Sequence, residues 1–363
     1  MLDREGRNYN QVQDGQFVFL NPYNRECRDF VLSIYKEIIT KYDVAGLHLD
    51  YIRFPEWNYG TSDYGYNEDT MEAFKQESGY KGNVKALTAG TYYNQWVEFR
   101  QNIINSFVKE VYEMVMETRP DVWISCAAYP GIPDVKNTIY QDVDNWVKNG
   151  WIDEVFSMTY SESNEYVGEN ASKFVNLVGT DSFYSVGLSA FGETPSDIFA
   201  QQFDVVRKAG ADGSAMFSLA SVNSESWLKT SDKYAYGLIN GPHSSASIQA
   251  NRLNETLAAQ IEYFEQKKTS LYGDAYVYGD VIDSVLAELK QEAQAFDLQN
   301  STLEQKRVYA ENAYGKLDAL YKAYTSTQFD GDDTYCRIQV KKDIDEMRTT
   351  MARILSRINA RCK

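Results

Sequence analysis

A chain of 363 residues with a formal charge of −16 is long enough for a barrel-sized core plus a smaller unit, and its composition is that of a globular protein. The charge excludes partners that require a basic surface, nucleic acid and anionic membranes foremost. No apolar run reaches the roughly 18 to 20 residues of a membrane-spanning helix, and Met1-Leu2-Asp3-Arg4-Glu5 lacks the apolar core of a signal peptide.

The charge is unevenly placed: the first 240 residues carry −14 of it and the remainder −2. An acidic body rich in tyrosine suits neutral ligands such as sugars better than anionic ones. The four cysteines, Cys27, Cys126, Cys336 and Cys362, show no C-x-x-C spacing, so neither an ordinary zinc or redox motif nor a disulfide framework is expected. With two histidines, His48 and His243, and no G-x-S-x-G elbow, a histidine-rich metal site and a serine-hydrolase triad both lose ground. No metal and no cofactor is implied.

From Asn21-Pro22 the periodicity becomes helical, with Phe30, Ile34 and Ile38 on one face, and this helix feeds a strand over 44–52. Alternation along that strand sets Leu47, Leu49 and Tyr51 on one side and His48, Asp50 and Ile52 on the other. With the leucines against covering helices, His48 and Asp50 point inward, Asp50 nearer the carboxyl end, and Pro55 stops the strand. In a β/α barrel that end carries the chemistry. The plainer role for Asp50 is a structural pair with Arg53 or a turn cap.

A long aromatic-rich excursion, 55–95, contains a short helix near 69–78. A helix from about Gln95 to Glu117 presents Phe99, Ile103, Phe107, Val111 and Val115 on one face. Strands are then expected at 122–128, 152–160, 183–191 and 214–220, with helices near 141–149, 166–178, 196–209 and 224–238. One more strand is possible near Gly15 to Leu20. This alternation predicts a parallel sheet with right-handed crossovers. No phosphate-binding glycine motif follows any strand, which favours a TIM-type barrel over a nucleotide-binding open sheet. Five strands fall short of the eight in a complete barrel. The stretch Gly241-Pro242-His243-Ser244-Ser245 reads as a linker, 241–250. Helical periodicity then runs through 248–269, 279–297, 301–325 and 335–361. The expected organisation is a β/α barrel over 1–240 and an all-α bundle over 251–363, an independent module for attachment or protein contact.

The run Tyr42-Asp43-Val44-Ala45-Gly46-Leu47-His48-Leu49-Asp50-Tyr51-Ile52-Arg53-Phe54-Pro55 resembles the signature of the glycosyl-hydrolase-like family 10 proteins, bacterial TIM-barrel proteins. Further landmarks agree: Leu20-Asn21-Pro22 with Arg28, Trp96-x-x-Phe99-Arg100, Asp153 with Met158-Thr159-Tyr160, Gly187-Leu188, and Gly213 with Phe217-Ser218. The resemblance covers about residues 1–240. In that family the barrel begins with two further strands, so the resemblance implies that Met1 falls inside the domain, near the third strand. Those two strands and any export signal would then precede it. An incomplete barrel exposes two sheet edges.

Glycoside cleavage uses two carboxyl groups, one protonating the leaving oxygen and the other attacking the anomeric carbon or activating water. The resemblance gives Asp50 one of these roles, most simply the nucleophile. Its partner must stand at another strand's carboxyl end, and Glu162, Glu193 and Glu225 are the candidates in that order, each also explicable as a plain surface-loop glutamate. His48 and Arg53 are expected to bind substrate or hold Asp50 ionised, while Trp57, Tyr129 and Tyr160 are expected to pack on sugar faces. The expected function is a glycoside hydrolase of a bacterial cell-wall or other complex polysaccharide, extracellular or in the cell envelope. The rival is a non-catalytic carbohydrate-binding or envelope scaffold. A metal-dependent hydrolase built on Asp50, His48 and Glu162 is the weakest reading.

Overall fold

The computed structural model describes residues 1–12, 18–55, 63–131, 134–190, 195–218, 253–272, 276, 279–298, 300–327 and 334–362. Five strands are present among them: β1 (Gly46–Leu49), β2 (Trp123–Ala128), β3 (Glu154–Met158), β4 (Phe183–Ser189) and β5 (Gly213–Phe217). They pair in parallel in the order β1-β2-β3-β4-β5, the topology that right-handed βαβ crossovers produce. This is an α/β architecture with a barrel-like strand order, in which β1 and β5 form the edges among the described residues. Of the possible strand near Gly15 to Leu20, residues 18–20 are irregular and 15–17 lie outside the described residues, as does the helical stretch expected at 224–238.

Helix α1 (Arg25–Lys41) precedes β1, and between the strands come α2 (Glu68–Ser78), α3 (Thr91–Thr118), α4 (Asp134–Thr138), α5 (Val143–Lys148), α6 (Asn164–Val178) and α7 (Ser196–Ala209). Helix α1 begins after Asn24, whose side chain accepts the Cys27 N–H at 3.0 Å, a Ncap that satisfies one of the first turn's orphan donors. The expected apolar face of α3 is the one it buries: Phe99, Ile103, Phe107, Val111 and Val115 join Leu47 and Leu49 in one core. Each such side chain taken fully out of water contributes about 1.5–3 kcal/mol. Arg28 locks α1 onto α3, donating to Ser106 Oγ at 2.9 Å, to the Ile103 carbonyl at 2.6 Å and to Glu110 at 2.9 Å.

Beyond the sheet come α8 (Leu253–Lys267), α9 (Gly279–Ala295), α10 (Leu303–Ser326) and α11 (Thr334–Arg361). Thr302 and Gln305 form a reciprocal capping box at the start of α10. Leu257, Ile261, Leu286, Leu317, Val340 and Met351 build a second core, which also takes in Trp123 of β2 and Phe183 of β4, stacked at 5.4 Å. The last helix thus lies against the amino ends of the strands. Its Arg357 donates to Asp153, to the Asp181 carbonyl at 2.8 Å and to the Gly150 carbonyl at 2.7 Å. The sequence gives no sign of this long-range contact.

Candidate functional site at the carboxyl ends of the strands

Leu47 and Leu49 are buried while His48 and Asp50 are exposed, so the alternation read from the sequence holds. Asp50 stands one residue past β1, on the open face of the sheet. Its carboxylate accepts the Tyr51 N–H at 2.7 Å. Tyr51 has φ +55°, a left-handed conformation that a bulky residue adopts only when its surroundings demand it, and Arg53 N–H closes a three-residue turn onto the Tyr51 carbonyl at 2.8 Å. This abrupt turn is how the chain leaves the strand directly after presenting the acid. Tyr51, expected to pack outward with the leucines, instead keeps 48 % of its surface exposed at the rim. The turn has broken the period of two that put it on the leucine side.

Two neighbouring segments fix the same end. Gln141 donates from Nε2 to the Ala127 carbonyl at 3.1 Å and accepts the Tyr129 N–H at 2.7 Å, while Phe54 N–H reaches the Ile139 carbonyl at 2.9 Å. The carboxyl ends of β1 and β2 are therefore held by the segment that follows α4. Arg53 is buried and lays its guanidinium over the rings of Tyr51 at 4.8 Å and Tyr129 at 5.3 Å. No ion pair joins it to Asp50 among the described residues.

His48 Nδ1 lies 2.8 Å from Ser125 Oγ, and the ring meets Phe156 edge-on at 5.4 Å. Desolvation by these neighbours lowers its pKa, an effect the Asp50 charge partly offsets, so the imidazole is held neutral. Tyr160 follows β3. Burial pushes its phenol up to about 12, and the charge of Asp50 adds to the shift. Asp50 also borders a cavity of about 460 Å³ beside β1, between α1 and residues 18–22, with Phe19, Tyr35, Tyr51 and Arg53.

The remaining expected residues fare differently. Glu162 is exposed in the β3–α6 turn, next to the Ser163 cap, and makes no hydrogen bond to any residue around Asp50. Glu193, Trp57 and Glu225 lie outside the described residues. Tyr64 and Tyr66, in the aromatic-rich excursion after β1, are buried: Tyr66 donates to Asp63 at 2.7 Å within a network around Arg100. Sequence reading missed Glu154, the first residue of β3. It is buried on the same side of its strand as Phe156 and Met158, accepts from Ser185 Oγ at 2.8 Å, and is pushed by desolvation to a pKa of about 8. Period-two alternation within Glu154-Val155-Phe156-Ser157-Met158 carried the signal. Among the described residues no group of three or more histidine, cysteine, aspartate or glutamate side chains could hold a metal ion, and no helix is long and apolar enough to cross a membrane.

Residues 3–176 match the family model for glycosyl hydrolase-like 10, the family that the signature at 42–55 resembles. An S-layer-related protein of Niallia circulans is 31% identical over an aligned length of 156 residues, an alignment that covers 36% of this chain and 9% of that relative. The chain thus spans a small fraction of the curated relative it matches. No solved structure matches.

Proposed function

We propose that this chain is the β/α part of a glycoside hydrolase acting on a bacterial cell-envelope polysaccharide, with Asp50 as one of its two carboxyl groups. The observation that carries this reading is the position of Asp50, exposed one residue past the carboxyl end of β1, inside the span that matches the glycosyl hydrolase-like model. Asp50 serves as the ionised member, attacking the anomeric carbon or activating water, while a carboxylic acid from a neighbouring strand end protonates the leaving oxygen. Glu162 and Glu193 are the candidates for that acid. Neutral His48 and the Arg53 platform contribute hydrogen bonds and orientation at the sugar rim, and Tyr129 and Tyr160 contribute apolar faces. The name of the Niallia circulans relative supports an envelope location, with the C-terminal helices as a unit for attachment or protein contact.

A second reading, a non-catalytic carbohydrate-binding scaffold, is favoured by one observation: Glu162 is exposed and makes no hydrogen bond to any residue around Asp50. Asp50→Asn separates the two. Release of reducing ends from purified cell-wall polysaccharide is expected to fall by a factor of about 10³ or more with saccharide binding retained. A wild-type protein that binds the polysaccharide and releases no reducing ends would establish the scaffold instead.

A further inference from the structure

The inner side of the sheet carries an aromatic arrangement that spans three strands. Tyr160, two residues past β3, stacks on Phe217, the last residue of β5, with ring centroids 5.4 Å apart and planes inclined by 21°. Strand β4 runs between them. It lets the Tyr160 ring cross because residue 187 is glycine: a Cβ there would stand 2.6 Å from the Ser157 carbonyl oxygen and 3.4 Å from Tyr160 Cε1. Register places these residues on one face, since Ser189 pairs with Phe217, Gly187 pairs with both Ala215 and Met158, and Tyr160 follows Met158 by two residues.

Two features mark this pair as more than core packing. Phe217 keeps 54 % of its surface exposed and its neighbour Met216 keeps 38 %, at the strand end where the chain would otherwise be expected to shelter apolar side chains. Tyr160 and Phe217 also stand at the carboxyl ends of β3 and β5, the end of the sheet at which Asp50 follows β1. An exposed ring backed by a second ring, at the strand ends that carry a carboxylate, matches the alternating apolar faces and polar rims of a pyranose.

We propose that Phe217, with Tyr160 behind it, is a saccharide-stacking platform that holds one pyranose ring of a glycan chain at the strand ends where Asp50 stands. This rests on the glycoside-directed reading above and adds to it a specificity-determining residue, Phe217, and the kind of sugar surface it takes. Uncharged pyranoses with equatorial substituents, whose C–H groups form a flat apolar face, are its ligands.

Isothermal titration calorimetry of the full chain with chitohexaose and with purified cell-wall polysaccharide tests it, alongside Asp50→Asn, Phe217→Ala, Tyr160→Ala and Phe217→Trp. Phe217→Ala and Tyr160→Ala are expected to raise Kd by about tenfold, while Phe217→Trp and Asp50→Asn remain within about threefold of wild type. Circular dichroism of each variant confirms that the fold is kept. Wild-type affinity in Phe217→Ala, or no binding of either probe by the wild-type chain, overturns the platform. Failure of the hydrolase reading looks different: binding that depends on Phe217 persists with no Asp50-dependent release of reducing ends.

Discussion

Arg357 of α11 donates from Nε to Oδ1 of Asp153 at 2.9 Å, and both side chains are shut away from water. Asp153 precedes β3, and its other oxygen accepts the Ile124 N–H of β2 at 2.7 Å while pairing with Arg361. The device occurs a second time: Asp212 precedes β5, accepts the Tyr184 N–H of β4 at 2.9 Å, and pairs with Arg353. Arg353, Arg357 and Arg361 are four residues apart, so they share one face of the helix. Two aspartates thus hold neighbouring strands in register and bind the helix at once.

Breaking that arrangement from the sheet side leaves buried guanidinium groups without a counter-charge. Asp153→Asn is expected to cost about 3–5 kcal/mol, read from urea unfolding of the full chain by tryptophan fluorescence. A cost under about 1 kcal/mol would show that the arginines find other partners at little expense.

Glu154 gives stability a dependence on pH. Its folded pKa, about 8, lies above the ordinary 4.5, so between these values the folded state holds a proton that the unfolded chain has released. Stability therefore falls as pH rises from about 4.5 to about 8, by an amount on the order of a few kcal/mol, and this contribution levels off above that range. Glu154→Gln, which keeps the hydrogen-bonding shape without the charge, is expected to flatten this part of the profile and to stabilise the protein at neutral pH. Parallel unfolding curves for the two proteins from pH 5 to 8.5 provide the check, and identical slopes would contradict it.

Arg100 is fully buried in α3, over the rings of Trp96 at 4.7 Å and Tyr140 at 4.3 Å. It pairs with Asp63 and donates to the Tyr64 carbonyl at 2.9 Å, while Tyr66 and Tyr140 donate to Asp63 at 2.7 and 3.0 Å. Arg100→Lys keeps the charge but loses the planar fork and the stacking, so a loss of about 2–4 kcal/mol is expected. Residues 63–66 should become accessible to limited proteolysis in this variant at temperatures where the wild type resists.

Gly187→Ala tests the seat of Tyr160. The added Cβ meets backbone rather than a yielding side chain, and a loss of about 1–3 kcal/mol is expected together with a changed near-ultraviolet circular dichroism signal from the displaced ring. An unchanged spectrum would place the ring elsewhere.

What the sequence made legible was local. Alternation at Leu47, His48, Leu49 and Asp50 assigned the two sides of β1, and the spacing from Phe99 to Val115 located the buried face of α3. All five strands and the four C-terminal helices fall where periodicity put them, within a few residues. What stayed hidden depends on chain segments far apart. Tyr51 turns away because a positive φ interrupts the strand period, a feature no residue type at that position announces. Arg357 reaches Asp153 across 204 residues of chain, and an arginine on an amphipathic helix looks the same whether it meets solvent or a buried acid. Gly187 and Phe217 were visible as family landmarks, yet their joint meaning needs the β4–β5 register.

The arginine face of α11 grips the amino-terminal edge of the sheet, and Asp50 stands at the opposite one. The C-terminal helices therefore hold the sheet from the end opposite Asp50. A grip at one end of the strands and a carboxylate at the other can thus be altered independently by mutation.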